Sequence, residues 1–325
     1  MKSFCALCNQ RKKKYGTSHV DLQYQKITTE EIEENEQGHN DDSSQITPKE
    51  IEAFDSLFAR GIMAAARGDM DPQSQHLKHC HITSGQMVYL LVKHGANPFE
   101  TDVRDISLIH WAAGSGQLSA LKELIRQRGD GGIEKAIQIK ADRDGATILH
   151  WAAAGAKPKE FGCGGHLHIC QYLLQNCGGP TKQKEAVNTL TKDGNSVLMW
   201  AAWSGAIEIV KLMIRHRADT SITNRNGCTV AHWSASAGIV EICEYLHNVV
   251  KVDFDVKNKA GNSPLSHAVA YGRAEVVQWL REEVNVKQTD GAHELAIDFA
   301  DWEEDNFDRK KVLGLFTNDD WKFED

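Results

Sequence analysis

From about residue 105 onward, apolar positions recur in a fixed two-part pattern. A short alanine-rich run is followed, after a small-residue break, by a longer stretch with apolar side chains at helical spacing. Four copies align: SLIHWAAGSGQLSALKELI at 107–125, an interrupted TILHWAAAGA…GGHLHICQYLL at 147–174, SVLMWAAWSGAIEIVKLMI at 196–214, and TVAHWSASAGIVEICEYLH at 229–247; a fifth, SPLSHAVAYGRAEVVQWLR at 263–281, is more degenerate. The periodicity predicts two helices per copy. The first is short and small-faced, so a neighbour can approach closely. The second presents Ile209, Val210, Leu212, Met213 and Ile214, or their counterparts. One anchor position falls on His110, His150, Met199, His232 and Ser266, at intervals of 40, 49, 33 and 34 residues. The last two intervals give the period, and the first two contain insertions. Ser107, Thr147, Ser196, Thr229 and Ser263 stand where each first helix needs a cap. Gly145, Gly194, Gly227 and Gly261, two residues earlier, supply the backbone freedom of a tight turn.

No single pair of helices can cover its own apolar face, but stacked copies make a continuous core. These residues resemble the ankyrin repeat. The resemblance rests on Asp144-Gly145-x-Thr147-x-Leu149-His150-x-Ala152-Ala153, on Gly205-Ala206-Ile207-Glu208-Ile209-Val210, and on His94-Gly95-Ala96-Asn97-Pro98, which ends an earlier unit whose first helix runs from Phe58 to Arg67. It covers about residues 55–300 and implies an all-α ankyrin-repeat solenoid of about seven units, degenerate caps included. Two departures stand out. Asp105 replaces the turn glycine, and Met199 replaces the histidine that ties adjacent turns in such repeats, so a weaker hydrogen-bond network is expected at Met199.

The ends read as caps. Thr47-Pro48-Lys49-Glu50 fits a capping box with proline at the first helical position. Residues 293–297 begin a last degenerate unit, and an acidic segment with Trp302, Phe307, Val312, Leu313 and Phe316 closes the core with a final helix. The organisation expected is a disordered, charge-rich tail at 1–46, an array at 47–300, and an acidic capping helix and tail at 301–325. Insertions near 69–82, 129–138, 157–164 and 177–188 read as enlarged loops.

The formal net charge is −8. It is concentrated at the two ends, so the array itself carries no large one-signed field, and nucleic acid is not an expected partner. No run approaches the roughly 18 apolar residues that span a bilayer. The basic cluster Arg11-Lys12-Lys13-Lys14 has no apolar segment in the order a secretory signal requires. Eight cysteines form no dense framework. A cytoplasmic protein is the expectation, with a nuclear one open through the basic cluster, and a monomer is the expected state.

Candidate function lies on the surface. The turn-tip position reads Val103, Arg143, Lys192, Arg225 and Lys259, which sets a basic row along one edge, suited to an acidic partner surface. The alternative is that these cations serve solubility alone. Trp111, Trp151, Trp200 and Trp233 form a column that reads as packing between repeats. Trp203 and Tyr271 lie further along their helices, where the resemblance implies a ligand-facing surface. His76, His79, Cys80 and His81 in the first insertion have the chemistry of a zinc site, and Cys5-x-x-Cys8 is a lone thiol pair. There is no phosphate-binding glycine loop and no nucleophile elbow. The reading is a non-catalytic interaction scaffold that binds another protein through its concave helix face and turn tips, with no cofactor. The alternative is a metal- or redox-sensitive regulatory module using the His76–His81 loop or the Cys5/Cys8 pair.

Overall fold

The computed structural model of the protein describes residues 84–93, 95–102, 106–129, 132–141, 144–155, 165–286 and 309–317. The expectations for the 1–46 tail, the 47–68 helix, the 69–82 and 157–164 insertions, Val103, Asp105, the 293–297 unit, Trp302 and Phe307 lie outside the described residues. All described residues belong to one compact unit.

The periodic segments fold as the pattern predicts. The first element, α1 (Ser84–Lys93), is the second helix of an early unit. Five helix pairs follow: α2 (Leu108–Gly114) with α3 (Leu118–Gln127), α5 (Ile148–Ala154) with α6 (Leu167–Asn176), α8 (Val197–Ser204) with α9 (Ile207–Arg215), α10 (Val230–Ala237) with α11 (Val240–Glu244), and α12 (Pro264–Ala270) with α13 (Ala274–Glu282). A single π-helical turn, Tyr245–Val249, extends α11. The inner helices α2, α5, α8, α10 and α12 pack in series, and the outer helices α1, α3, α6, α9, α11 and α13 follow the same order. One apolar core runs through all of them, from Val88 to Val286 and on to Val312. Between outer helices, Arg126 lies over the Tyr89 ring, Lys122 over Tyr172 and Lys211 over Tyr245. These are cation–π contacts that also cover apolar surface with lysine and arginine stems.

Two insertions read as loops are in fact partly helical. Residues 129–138 contain α4 (Gly132–Ala136), and 177–188 contain α7 (Pro180–Val187). Pro180 occupies the first turn of α7, where its missing N–H costs nothing. Ala136 and Ile137, and likewise Ala186 and Val187, are fully buried, so each short helix adds its own contribution to the core. The side chain of Gln183 on α7 donates to the carbonyl of Leu174 on α6 and pairs with His216 beyond α9. The final helix α14 (Arg309–Thr317) lies against α13, with Val312 buried and Arg281 donating to the Leu315 carbonyl.

Each inner helix starts after a serine or threonine. Ser107, Thr147, Ser196, Thr229 and Ser263 are all extended N-cap residues. Successive turns are joined through their backbones: Lys192 N–H donates to Asp144 O at 2.8 Å, Arg225 N–H to Asp193 O at 2.9 Å, and Lys259 N–H to Asn226 O at 3.0 Å. Gly227 shows why a glycine is needed here. Its φ is +77°, and a Cβ would lie 2.8 Å from the Lys259 nitrogen, at the point where the next turn docks.

Buried histidines make a second tie. Thr147 N–H donates to His150 Nδ1, so Nδ1 carries no proton, and Nε2–H donates to the Asn195 carbonyl of the next turn. His232 repeats the arrangement with Thr229 and the Asn262 carbonyl. His110 Nε2 reaches the Ala146 and Ile139 carbonyls, with Ser107 on its other nitrogen. Met199 is buried and makes no such tie. Across the same junction, however, Asn224 Nδ2 donates to Asn195 Oδ1 at 2.9 Å in a buried contact. The weakening expected at Met199 is therefore offset by an asparagine pair.

Burial is the main reason that His150 is held to a pKa of about 3, and the His232 pKa is also lowered by burial. The folded chain refuses protons that the unfolded chain accepts. This stability is complete above the ordinary histidine value of 6.5 and is lost as pH falls from there toward 3, at about 1.4 kcal/mol per pH unit for each fully neutral site. Denaturant titrations between pH 7.5 and 4.5 should show a steady fall in unfolding free energy. His150→Met, which copies the unit of α8, should lower stability at pH 7.5 by about 1–2 kcal/mol and flatten the pH dependence. An unchanged slope would exclude His150 as a source of it.

Candidate interaction face

The turns and the inner helices offer two neighbouring sets of side chains. Lys192, Arg225 and Lys259 occupy successive turn tips and all three are exposed; Arg143 lies outside the described residues. Because their own backbone N–H groups form the turn-to-turn bonds, these cations are held in register by the fold itself. Arg225 meets Asp193 at 3.6 Å, both side chains about 70% exposed, 72% and 71%. Such a pair is worth little and is readily exchanged for another anion.

At the far ends of the inner helices is an aromatic cluster. Trp203 ends α8 and Tyr271 caps α12, two units away, yet their rings lie 5.4 Å apart in an edge-to-face contact. The intervening unit carries the small Ser236 and Ala237 near the same register, both buried, which leaves room for Trp203 to cross it. Trp203 also meets Trp233 of that unit at 5.9 Å. All three rings are partly exposed. Trp203 and Tyr271 were legible in the sequence as candidates. Trp233 reads as packing with the rest of its column, and only the missing bulk at Ser236 and Ala237 hints at its contact with Trp203.

The rest of that column does pack. Trp111 and Trp151 are buried and touch edge-to-face at 5.3 Å, and Trp200 packs on His150 at 5.4 Å. The inner helices α2, α5, α8, α10 and α12 contain no Asp, Glu, Lys or Arg at all. These helices are therefore aromatic, aliphatic and hydroxylic, with Lys192, Arg225 and Lys259 at the turn edge and Arg273 at the opposite end, where its Nε donates to the Ser236 carbonyl.

A polar knot joins the last two full units. Ser236 Oγ donates to the His232 carbonyl and so must accept from His267 Nδ1–H at 3.0 Å. His267 Nε2 is then an acceptor, and Asn258 Nδ2 lies 3.4 Å from both it and Cys228 Sγ. Burial raises the Cys228 thiol pKa and lowers that of His267, which opposes thiolate formation. The knot is a structural tie rather than a thiol–imidazole nucleophile. Among the described residues no three metal-ligating side chains converge, and no helix is long and apolar enough to cross a membrane. His76, His79, Cys80, His81, Cys5 and Cys8 lie outside the described residues.

A family model described as ankyrin repeats, three copies, matches residues 78–163, 161–224 and 198–290. Among curated proteins, the chain is similar to the palmitoyltransferase AKR1 of Lachancea kluyveri, 22% identical over 238 residues, covering 64% of this chain and 29% of that protein. It is 28% identical to inversin of Canis lupus familiaris over 207 residues, covering 62% and 17%. It is 28% identical to the palmitoyltransferase Hip14 of Drosophila melanogaster over 197 residues, covering 54% and 30%. The chain thus spans less than a third of the length of each of these relatives.

One local difference in the tryptophan column can be tested. The Trp111 indole donates to Asp102 Oδ2, while Asp102 Oδ1 accepts from Ile106 N–H. In the unit of α8 the same turn position is Thr191, whose single oxygen serves Asn195 N–H, and the Trp200 indole N–H is buried without a partner. A stranded donor of this kind costs about 1–3 kcal/mol. Thr191→Asp should supply both acceptors and raise the unfolding free energy by about 1 kcal/mol at neutral pH. A loss of stability in thermal melts would show that the carboxylate is not accepted there.

Proposed function

The chain belongs to the ankyrin-repeat family, and from that we propose that it is a protein-binding scaffold whose working surface is the inner-helix face of the last three full units. The observation that carries this reading is the partly exposed Trp203–Trp233–Tyr271 cluster on inner helices that contain no charged residue. Aromatic groups presented on a rigid frame give large contact area at small entropic cost, and they dominate binding energy where they are found. The Lys192, Arg225 and Lys259 row adds an edge that attracts and orients an acidic partner. The second helices, caps and buried histidines hold this face rigid, so little ordering remains to be paid for at binding. The array itself needs no cofactor and carries out no reaction.

A second reading comes from the names of two relatives, which are palmitoyltransferases. In that reading the array is the docking part of an acyl-transfer system and presents a protein substrate to it. Adding the purified chain to a palmitoyltransferase reaction with labelled palmitoyl-CoA and a protein substrate separates the two: increased labelling of the substrate supports the second, and unchanged labelling leaves binding alone. The expectations of a monomer and of a cytoplasmic site stand within the same proposal, the first checked by sedimentation and the second by fractionation.

Affinity purification with the full chain, followed by titration of the recovered partner, tests the first reading. Trp203→Ala and Tyr271→Ala should each weaken binding by about tenfold or more, the loss expected of a buried aromatic anchor, while thermal melting stays within a few degrees of the parent. Full affinity in the double variant would move the binding surface elsewhere.

A further inference from the structure

The spacing of the turns restricts what can lie along this face. Within a unit the two arms of the turn pair through an antiparallel bridge, Lys140 with Thr147 and Leu190 with Ser196. Between units the arms are joined by the backbone bonds of Lys192, Arg225 and Lys259. Each unit therefore advances two strand spacings, or about 10 Å, and the three exposed cations repeat at that interval. The neighbouring inner helices repeat at the same interval, contain no charged residue and carry Trp200, Trp233 and the Trp203–Tyr271 pair.

A polyproline II helix has three residues per turn and rises about 3.1 Å per residue, so every third side chain points the same way at intervals of about 9 Å. That repeat matches the turn row closely. A β-strand does not match it: its same-side residues recur at about 6.7 Å. Nor does an α-helix, whose i and i+7 positions fall about 10.5 Å apart but whose width of about 10 Å is carried less well by one line of side chains. Flat aromatic rings are also the surface on which polyproline II segments settle, because such segments are already extended and lose little entropy on docking.

We propose that the partner of this face is an extended, proline-rich acidic segment in polyproline II conformation, with carboxylates at every third position. Three carboxylates meet Lys192, Arg225 and Lys259, the middle one displacing Asp193 from Arg225, and another face of the segment rests on the turn-side part of the inner helices, at Trp200 and Trp233. This deepens the interaction reading above and rests on it.

The test uses the full chain and three synthetic twelve-residue peptides: one with Glu at every third position separated by Pro and Ala, one with the same composition and its Glu residues consecutive, and one with Gln for Glu. Tryptophan fluorescence and calorimetry report binding. The expected result is that the every-third peptide binds about tenfold tighter than the consecutive one, that the Gln peptide does not bind measurably, and that binding weakens as salt is raised. Lys192→Glu with Arg225→Glu and Lys259→Glu should abolish it without changing the melting temperature. Equal affinity for the two Glu peptides, no binding by either, or full binding by the triple variant overturns the proposal. If a natural partner loses affinity with Trp203→Ala yet is indifferent to the triple variant, the inner-face reading stands and the acidic segment falls. If it is indifferent to both, the two fall together.

Discussion

Everything in this array depends on the distance between one turn and the next. A single backbone hydrogen bond, from Lys192, Arg225 or Lys259 to the preceding turn, sets that distance. It can form only if the residue facing it has no side chain in the way, which is why glycine stands at 227 with a Cβ position 2.8 Å from the incoming nitrogen. Once the turns are docked, the inner helices follow at the same interval. Their small residues, alanine pairs in three of the five, allow the backbones to come close, and the outer helices must then bury their apolar stripes against neighbours. The histidines do not create this geometry. They verify it, because a neutral ring can reach the next carbonyl only when the turns are already in register.

Much of the architecture was written in the chain as period and cap. Small-residue pairs, N-cap hydroxyls and turn glycines each constrain a few residues, and their recurrence, with the hydroxyl in all five copies and the glycine in four, leaves one answer. The helices α4 and α7 were not legible because they occur once each and have no partner copy to align. Their signals, Pro180 at a helix start and the small apolar pairs Ala136–Ile137 and Ala186–Val187, gain meaning only when the space beneath them is known. The Asn224–Asn195 bond was hidden for a similar reason: it links two side chains 29 residues apart, and only the absence of histidine at 199 marked the junction that needed it.

The candidate face was half legible. Turn cations can be read from register alone, and so could Trp203 and Tyr271 as residues past the usual column. Their meeting could not, since it spans two units and depends on how little Ser236 and Ala237 occupy between them. Specificity in repeat proteins resides in such departures from the consensus. The consensus positions make the frame, and each deviation records a demand the frame alone does not explain.

Met199 carries such a consequence. The two junctions flanking its unit are fastened by different chemistries, a titratable imidazole between α5 and α8 and a pair of amides between α8 and α10, and an imidazole returns one junction further, between α10 and α12. Amides hold the same charge at any acidity, whereas the rings do not. Near neutrality both kinds of junction hold, and in acid it is the imidazole ones that weaken, so the boundary along which the solenoid first parts is itself a function of pH. A chain of near-identical links thereby acquires a polarity of failure that no single repeat possesses.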